Sequence, residues 1–427
     1  MNFGTDRWLS TGAPSDCLSD VVVLGAGIIG VATAYAAARR GLKVALIDRE
    51  LGPARRCSFA NGAQLSYSYS DTLSSPALLR KVPQLLLGAD PLFRIQCSWD
   101  PDFISWGLRF LRNCSSRAQR RGTLAVLELA LESRSALDAL LKRHPMTFGH
   151  GVPGKLHLYF DRGPLRSAEI LANLKARHGA VQHVLTAGET RAVEPALTQV
   201  RKLVGSVYSP QDEIGDAHLF ATQLTAILTA HYGVRTRFGL MAESVALESD
   251  EVRVTGSHGE CVRGRSLVIA LGIGTPALLS RLRIHTPIQP LKGYSFTAPL
   301  GPNPPLLSIT DSARKLVFCN LMGRMRVAGC AELGNWDSEV EPARLDRLVQ
   351  EARSSLPDAA DFGHPEAKWA GLRPMSPDST PTITLVRPRV ILNVGHGMLG
   401  WTLAMGAAER AASLVAKELE YDPSILP

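Results

Sequence analysis

Long apolar runs, paired cysteines and the features of a targeting signal are missing from this sequence of 427 residues. No stretch reaches the about 18 consecutive apolar residues that crossing a bilayer requires. The first twenty residues lack the basic and apolar regions of a signal peptide, and we expect residues 1–19 to form a flexible tail. The seven cysteines are scattered without C-x-x-C pairs or metal-ligand spacing. We therefore expect free thiols in a reducing compartment, and no metal site.

Acidic residues are fewer than basic ones, which gives a formal net charge of +8 and a pI of about 9.2. No helix-turn-helix, zinc or aromatic RNA-binding pattern accompanies this excess, so we do not expect nucleic acid as a partner. The basic residues bunch after the aromatic and apolar segment 103–108, at Arg109, Arg112, Arg117, Arg120 and Arg121. Such a segment fits either a solvated helix face over the core or a surface that contacts an anionic membrane.

Near the amino terminus, a strand-like run leads into a glycine-rich turn and a helix-like segment. The turn reads Gly25-Ala26-Gly27-Ile28-Ile29-Gly30, and a second apolar strand ends at Asp48, 18 residues after Gly30. In such a unit the first glycine allows the tight turn, the second lets a pyrophosphate approach the backbone, and the third lets helix and strand pack closely. The helix start attracts the pyrophosphate, and the acid accepts hydrogen bonds from a ribose. The complete unit predicts a dinucleotide site.

Two later segments repeat the pattern of an apolar strand followed by a turn of small residues. One ends at Leu271-Gly272-Ile273-Gly274. The other follows the strand 390–394 with Gly395-His396-Gly397-Met398-Leu399-Gly400 and a helix rich in glycine and alanine. Elements that could contact a dinucleotide therefore come from the first, middle and last thirds of the chain. At this length we expect two domains.

Five sequence blocks match a known family. They are Ser58 with Ala60-Asn61 and Gln64, Asp212-Glu213-x-Gly215-Asp216, Pro290-Leu-Lys-Gly-Tyr-Ser295, Gly371-Leu-Arg-Pro-Met-Ser-Pro-Asp378 with Thr380-Pro381, and Asn393-Val-Gly-His-Gly-Met-Leu-Gly-Trp-Thr402. From about residue 20 to about residue 420 the chain resembles the FAD-dependent D-amino-acid oxidase superfamily. Within that superfamily it is most similar to the bacterial D-amino-acid dehydrogenases. A nicotinamide enzyme would not need the carboxyl-terminal Gly-His-Gly turn.

The resemblance implies an α/β (α+β) fold, a Rossmann-like FAD-binding domain with an inserted antiparallel-sheet substrate domain. We expect the FAD-binding domain to be discontinuous and to comprise residues 20–90, 200–285 and 366–427. The substrate or cap domain then comprises residues 91–199 and 286–365.

The resemblance also implies the reaction, which is FAD-dependent oxidative deamination of D-amino acids. A hydride passes from Cα to flavin N5, the imino acid is hydrolysed to a 2-oxo acid and ammonia, and a quinone or other carrier takes the electrons. The alternatives are a dehydrogenase or oxidase of D-hydroxyproline, sarcosine or another N-substituted amino acid, and a non-catalytic flavin-binding subunit. The expected partners are a D-amino acid, the electron carrier and an anionic membrane surface. The expected location is the cytoplasm or the inner face of the membrane.

The family motifs imply four residues for the substrate side of the site. Arg373 is expected to bind the substrate carboxylate through a bidentate fork, the alternative being a buried structural ion pair. His396 either polarises the flavin edge or hydrogen-bonds a neighbouring carbonyl group. Tyr69 and Tyr294 either line the amino-acid pocket or are packed tyrosines with satisfied hydroxyls. No counterpart is found around residues 316–318 of the tyrosine that some amino-acid oxidases place opposite the carboxylate.

The same motifs imply the residues that contact FAD. These are Gly25, Gly27, Ile28, Ile29, Gly30, Asp48, Arg49, Ser58, Asn61, Gln64, Val245, Gly272, Gly397, Met398, Leu399, Gly400, Trp401 and Thr402. Cys57 departs from the threonine that close relatives are expected to have there. The acidic residues Asp212, Glu213 and Asp216 are interpreted as helix-capping and turn residues.

Overall fold

The computed structural model describes residues 18–88 and 90–420, and most of the predicted amino-terminal tail lies outside that range. The strands in chain order are β1 (Ser19–Leu24), β2 (Val44–Asp48), β3 (Gln64–Leu65), β4 (Phe93–Ile95), β5 (Lys155–Tyr159), β6 (His183–Thr186), β7 (Gly205–Ser209), β8 (Glu213–Ile214), β9 (Arg235–Phe238), β10 (Ala242–Leu247), β11 (Val252–Gly256), β12 (Cys261–Ile269), β13 (Gln289–Pro299), β14 (Ser308–Asp311), β15 (Leu316–Leu321), β16 (Arg324–Leu333), β17 (Ala367–Met375), β18 (Thr382–Arg387) and β19 (Val390–Val394). The helices are α1 (Ile28–Ala38), α2 (Pro76–Leu86), α3 (Pro101–Asn113), α4 (Ser116–Arg143), α5 (Arg162–Ala176), α6 (Ala187–Val193), α7 (Ala217–Tyr232), α8 (Thr275–Arg281), α9 (Pro342–Ser355) and α10 (Gly400–Glu420).

The first sheet carries the dinucleotide motif. Its strand order is β10-β11-β12-β1-β2-β9, with β19 also paired to β12 and β18 to β19. Strands β9, β2, β1, β12 and β19 pair in parallel, whereas β10, β11 and β18 join antiparallel. Helices α1, α4, α7 and α10 bury their apolar faces together against this sheet. The predicted Rossmann-like half is therefore confirmed.

The second sheet has the order β17-β13-β16-β15-β14-β5-β7-β6, with β4 paired to β16. All of these pairs are antiparallel except β14 with β5 and β16 with β4. Helix α9 and one face of the sheet enclose a second core around Phe296, Phe318 and Leu348. The predicted mixed α/β class with a largely antiparallel second sheet is confirmed.

The sheets divide the chain at other points than the predicted domain boundaries. Strands β7 and β17 lie in segments expected to join the FAD-binding half, but both pair within the second sheet. Helix α4 lies in the segment expected for the substrate domain, but it packs on α10 in the first core. The physical reason is that apolar periodicity predicts a strand or a helix and carries no information about its partner.

Candidate active site

A single cavity of about 1200 Å³ runs between the two sheets. On one side it is lined by the β1–α1 turn, the end of β2, the loop 54–64 and the turns that follow β12 and β19. On the other side it is lined by strands of the second sheet, from β17 across to β5. The three chain segments that carry the sequence motifs therefore border the cavity on one side, and one face of the antiparallel sheet borders it on the other.

The turn before α1 leaves backbone N–H groups available for an anion. Gly25 adopts φ +105°, and a Cβ atom there would lie 2.5 Å from the Ala270 carbonyl oxygen. Helix α1 has no side-chain cap at Gly27, and its Ile28 N–H donates to Ser58 Oγ over 3.3 Å. An uncapped helix start that faces a cavity is a favourable place for a phosphate.

Asp48 ends β2 beside this turn. Its carboxylate accepts from the Ala26 N–H over 2.5 Å and from the Glu50 N–H over 2.8 Å, and burial raises the pKa of Asp48. Because each carboxylate oxygen has two acceptor sites, a ribose hydroxyl can still bind here. Arg49 and Gly272 also line the cavity.

Two residues of the expected FAD set lie behind the cavity lining rather than in it. Gly30 is buried in α1, where a Cβ would overlap the Gly25 carbonyl oxygen. Its role is the close packing of helix and turn. Val245 lies in β10 and packs against the core of the first sheet, whereas Met241 and Ala242 reach the cavity from the same segment.

The remaining half of the cavity lies between two chain segments that meet at one end. One is the loop from Ser58 to Ser66, and the other is the turn Gly397–Leu399 with the start of α10. They are joined where the Ser66 N–H donates to Thr402 Oγ1 over 2.9 Å. The expected residues Asn61, Gln64, Met398, Leu399, Gly400 and Trp401 all line this half. The backbone N–H groups at the start of α10 suit the polar edge of a planar ring system.

His396 precedes this turn and is only 5% exposed. Its Nε2 atom has no hydrogen-bond partner among the described residues, although the residue lines the cavity. Burial lowers the pKa of His396 to about 3, so the imidazole is neutral at physiological pH. A buried, unpartnered ring nitrogen is costly unless a bound molecule satisfies it, and FAD would supply such a partner.

Arg373 lies on β17 opposite Leu291, and its guanidinium covers Gly293 so closely that a Cβ there would overlap it. Within the part of the chain that the structure describes, no carboxylate pairs with this guanidinium. Burial lowers the pKa of Arg373, and the thiols of Cys57 and Cys330 act on it in the opposite direction. A desolvated guanidinium on a cavity wall without a counter-ion can receive an anionic ligand.

The two candidate tyrosines have different surroundings. Tyr69 lines the cavity and stacks on His157 with ring centroids 4.0 Å apart. Tyr294 borders the cavity, but its ring lies in the core beneath α9 and its hydroxyl donates to Glu332 over 3.4 Å. Its neighbour Ser295 faces the opposite way and donates to the Ala60 carbonyl oxygen. The Tyr294 hydroxyl therefore fits the alternative of a packed tyrosine with a satisfied hydroxyl group.

The sequence analysis missed Lys155 and His157 on β5. Both line the cavity and both are at least 97% buried. Burial lowers the pKa of Lys155 to about 8, and the pKa of His157 falls well below its usual value for the same reason. The signal was present in the Lys155–Tyr159 segment, where polar residues alternate with leucines, but alternation alone does not tell which face meets a cavity.

The acidic residues after β7 have structural roles. Asp216 caps α7 by accepting from the N–H groups of His218 and Leu219, as predicted. Asp212 accepts from the Ser68 N–H and thereby holds the loop that carries Tyr69. Glu213 is not a cap: its buried carboxylate contacts His150 Nε2 at 2.8 Å.

Neither a metal-ligand cluster nor a membrane-spanning helix occurs among the described residues. Among residues 18–88 and 90–420, no three His, Cys, Asp or Glu side chains converge as metal ligands would. None of the helices in these ranges combines the length and the apolar character needed to cross a membrane.

The buried neutral state of His396 predicts a pH effect on stability. The unfolded imidazole binds a proton below about pH 6.5, whereas the folded one resists protonation down to a pKa of about 3. Acidification from pH 7.5 to pH 5.0 should therefore lower the free energy of unfolding of the wild type by about 2 kcal/mol more than that of His396→Asn. Denaturant unfolding at the two pH values measures this. Equal losses in both proteins would mean that His396 is protonated in the folded state.

Comparisons with known proteins agree with this geometry. The family model described as "DAO: FAD dependent oxidoreductase" matches residues 20–414. D-amino acid dehydrogenase 2 of Ralstonia nicotianae is 40% identical over 412 residues, which cover 93% of this chain and 96% of that protein. D-amino acid dehydrogenase of Paramagnetospirillum magneticum is 39% identical over 401 residues, which cover 93% and 94%.

Solved structures share the fold at lower identity. Glycine oxidase from Geobacillus kaustophilus superposes with a TM-score of 0.73 at 20% identity, covering 94% of this chain and 95% of that one. L-proline dehydrogenase from P. horikoshii gives a TM-score of 0.72 at 16% identity, covering 94% of each chain. The family model over residues 20–414 and the relatives that are 40% and 39% identical over more than nine-tenths of the chain agree with the dinucleotide turn, and they show that the chain belongs to the DAO family of FAD-dependent oxidoreductases.

Proposed function

We propose that this flavoenzyme oxidatively deaminates D-amino acids. The observation that carries the proposal is the guanidinium of Arg373, which has no carboxylate partner among the described residues and faces the cavity. Relatives named D-amino acid dehydrogenase, aligned over more than nine-tenths of the chain, support the substrate class. The amino acid loses a hydride from Cα and a proton from its nitrogen. Water then converts the imino acid to a 2-oxo acid and ammonia.

In this proposal the protein positions the substrate, and FAD supplies the redox chemistry. FAD supplies a two-electron acceptor for the Cα hydride. Arg373 holds the substrate carboxylate in a bidentate fork, which fixes the direction of the Cα–H bond. Backbone N–H groups of the turn Gly397–Gly400 favour negative charge at the ring edge. The neutral His396 would form a hydrogen bond with the same edge of the ring. Tyr69 would form part of the wall on the substrate side.

The residues that would hold FAD follow the cavity from one end to the other. Gly27, Ile28 and Ile29 would hold the pyrophosphate at the start of α1, and Asp48 would bind the adenosine ribose. The loop 58–66, with Asn61 and Gln64, and the turn that leads into α10 would hold the ring system. The two-domain division, with FAD in the half built on the first sheet, is part of this proposal.

The test uses purified holoprotein under anaerobic conditions. It is mixed with D-amino acids, their L-enantiomers, D-hydroxyproline and sarcosine while the absorbance of oxidised flavin is followed. We expect D-amino acids to bleach the flavin and L-enantiomers not to. Bleaching by sarcosine or D-hydroxyproline alone would favour the N-substituted substrates, and no bleaching by any of them would favour a non-catalytic subunit.

We propose a quinone or a similar lipid-soluble carrier as the electron acceptor, reached at the inner face of an anionic membrane. Exposed apolar side chains occur on α2, on the residue that follows it and on α3, namely Leu79, Leu86, Leu87, Ile104, Leu108 and Leu111. Trp99, which is 94% exposed, lies two residues before the start of α3. The same segment of the chain carries the exposed basic residues Arg80, Lys81, Arg94, Arg109 and Arg112. Leu78, on the inner side of α2, lines the cavity, so one helix separates the surface from the site.

Binding to vesicles should depend on this apolar surface. Two exposed leucines contribute burial energy and the arginines add electrostatic attraction, so the double variant Leu86→Glu/Leu87→Glu should bind phosphatidylglycerol vesicles at least about tenfold more weakly. Ile170→Glu is the control, since Ile170 is 55% exposed and lies on a different helix, α5. Cosedimentation of the holoprotein measures both. An equal effect of the two changes, or equal binding to neutral vesicles, would contradict the proposal.

A further inference from the structure

Lys155 is a buried cation at the end of the cavity where the loop 58–66 meets α10. It lies on β5, faces the cavity and is only 3% exposed. Its Nζ atom donates to Ser66 Oγ over 2.7 Å and stands 5.0 Å from the centre of the Tyr69 ring. His157, two residues along β5, lies on the same face, and both of its ring nitrogens lack partners among the described residues.

The charge of Lys155 is not neutralised by an ion pair within the described ranges. The neighbouring cations differ in this respect. Lys175, whose Nζ atom lies 5.8 Å from the centre of the Tyr69 ring, pairs with Asp71 at 2.9 Å. Lys315, which also lines the cavity, pairs with Asp90 at 2.6 Å. Asp212 and Asp71 attract the ammonium without contacting it, and their attraction does not outweigh the effect of burial, so a further negative charge nearby would stabilise it.

Ser66 connects Lys155 to the segment that borders the ring site. The Ser66 hydroxyl accepts from Lys155, while its N–H donates to Thr402 Oγ1 in the first turn of α10 over 2.9 Å. Ser66 therefore links the Lys155 ammonium to the first turn of α10, whose N–H groups also favour negative charge. The start of α10 and the lysine therefore both favour negative charge in this part of the cavity.

We infer that Lys155 is a positioning residue for the redox step: through Ser66 and by its charge, it stabilises the negative charge that FAD carries when two electrons and one proton have been added. Hydride transfer delivers two electrons and one proton to the cofactor, so the flavin gains one unit of negative charge unless a further proton follows. A cation held in a low-dielectric site lowers the free energy of that charged form. The inference rests on the proposed position of the flavin ring.

The groups that face Lys155 set the pH range of this effect. They are Asp212, Asp71, Lys175, the Cys319 thiol and the neutral His157. Burial dominates over the attraction of Asp212 and brings the pKa of Lys155 to about 8. The positive charge is therefore present at pH 7 and is lost as the pH rises above that pKa.

Sulfite binding and the flavin midpoint potential test the inference without any turnover. Sulfite adds to flavin N5 and leaves negative charge on the ring, so Lys155→Met should raise the sulfite Kd about tenfold. That change corresponds to about 1.4 kcal/mol and a midpoint potential lower by about 30 mV. Lys155→Arg should retain most of the wild-type affinity, and Lys315→Met should stay within about twofold because Asp90 already neutralises that lysine. The difference in potential between the wild type and Lys155→Met should narrow between pH 7 and pH 10.

Three outcomes would overturn the inference. The first is an unchanged sulfite Kd and potential in Lys155→Met. The second is a weaker binding of benzoate, a simple carboxylate probe, with unchanged sulfite binding, because Lys155 would then hold the substrate. The third is failure of Lys155→Arg to restore the wild-type values. The proposed function fails in a different way, by absence of flavin bleaching with D-amino acids in the wild type.

Discussion

Replacement of Arg373 by alanine is expected to lower kcat/KM for D-amino acids by about 100-fold. Truncating one partner of a buried charged pair typically costs 2 to 5 kcal/mol, and about 3 kcal/mol corresponds to that factor. Arg373→Lys keeps a positive charge but loses the planar fork, so its loss should be smaller. Steady-state kinetics with an artificial dye as acceptor, on protein of verified FAD content, measures both variants.

Lys315→Met is the matched control for Arg373. It removes another cation from the wall of the same cavity, but one whose charge Asp90 already balances at 2.6 Å. We expect kinetics close to the wild type. Unchanged KM and kcat in Arg373→Ala would refute the carboxylate assignment. Loss of FAD or of the folded state in that variant would instead favour a structural role for the guanidinium.

Gly25→Ala is expected to abolish FAD binding. The residue adopts φ +105°, which L side chains rarely adopt, and its new Cβ would lie 2.5 Å from the Ala270 carbonyl oxygen at the end of β12. Strain of this kind costs about 1 to 3 kcal/mol by itself, and the overlap pushes the turn away from the adjoining strand. The purified variant should be colourless, or should fail to fold.

Gly41→Ala distinguishes the effect of a positive φ from the effect of steric overlap with a neighbouring strand. Gly41 also has a positive φ, +88°, but nothing lies within 4 Å of the position that its Cβ would take. This variant should lose about 1 to 2 kcal/mol of stability and still bind FAD stoichiometrically. Absorbance of the bound flavin and thermal unfolding report the two properties. A yellow Gly25→Ala protein with wild-type FAD affinity would mean that the turn does not contact the pyrophosphate.

The parts of the site that could be predicted from the sequence are those built from neighbouring residues. The glycines at 25, 27 and 30 and the acid at 48 belong to one local strand–turn–helix–strand unit, in which each residue type has a backbone reason. The cap of α7 by Asp216 is equally local, because a capping side chain reaches only two or three residues ahead. Membership in the family followed from long motif blocks of the same kind.

What only the tertiary structure decided concerns pairings between distant segments. The 3.6- and 2-residue periodicities distinguished helices from strands. They did not indicate that β7 and β17 join the second sheet or that α4 packs on α10. The same holds for side-chain surroundings. One face of the second sheet meets the first domain and the other face meets α9. Lys155 faces the cavity on the first side, whereas the Tyr294 ring lies in the core on the second side. Local sequence determines conformation within a few residues, whereas strand partners and buried faces result from the burial of the whole apolar surface.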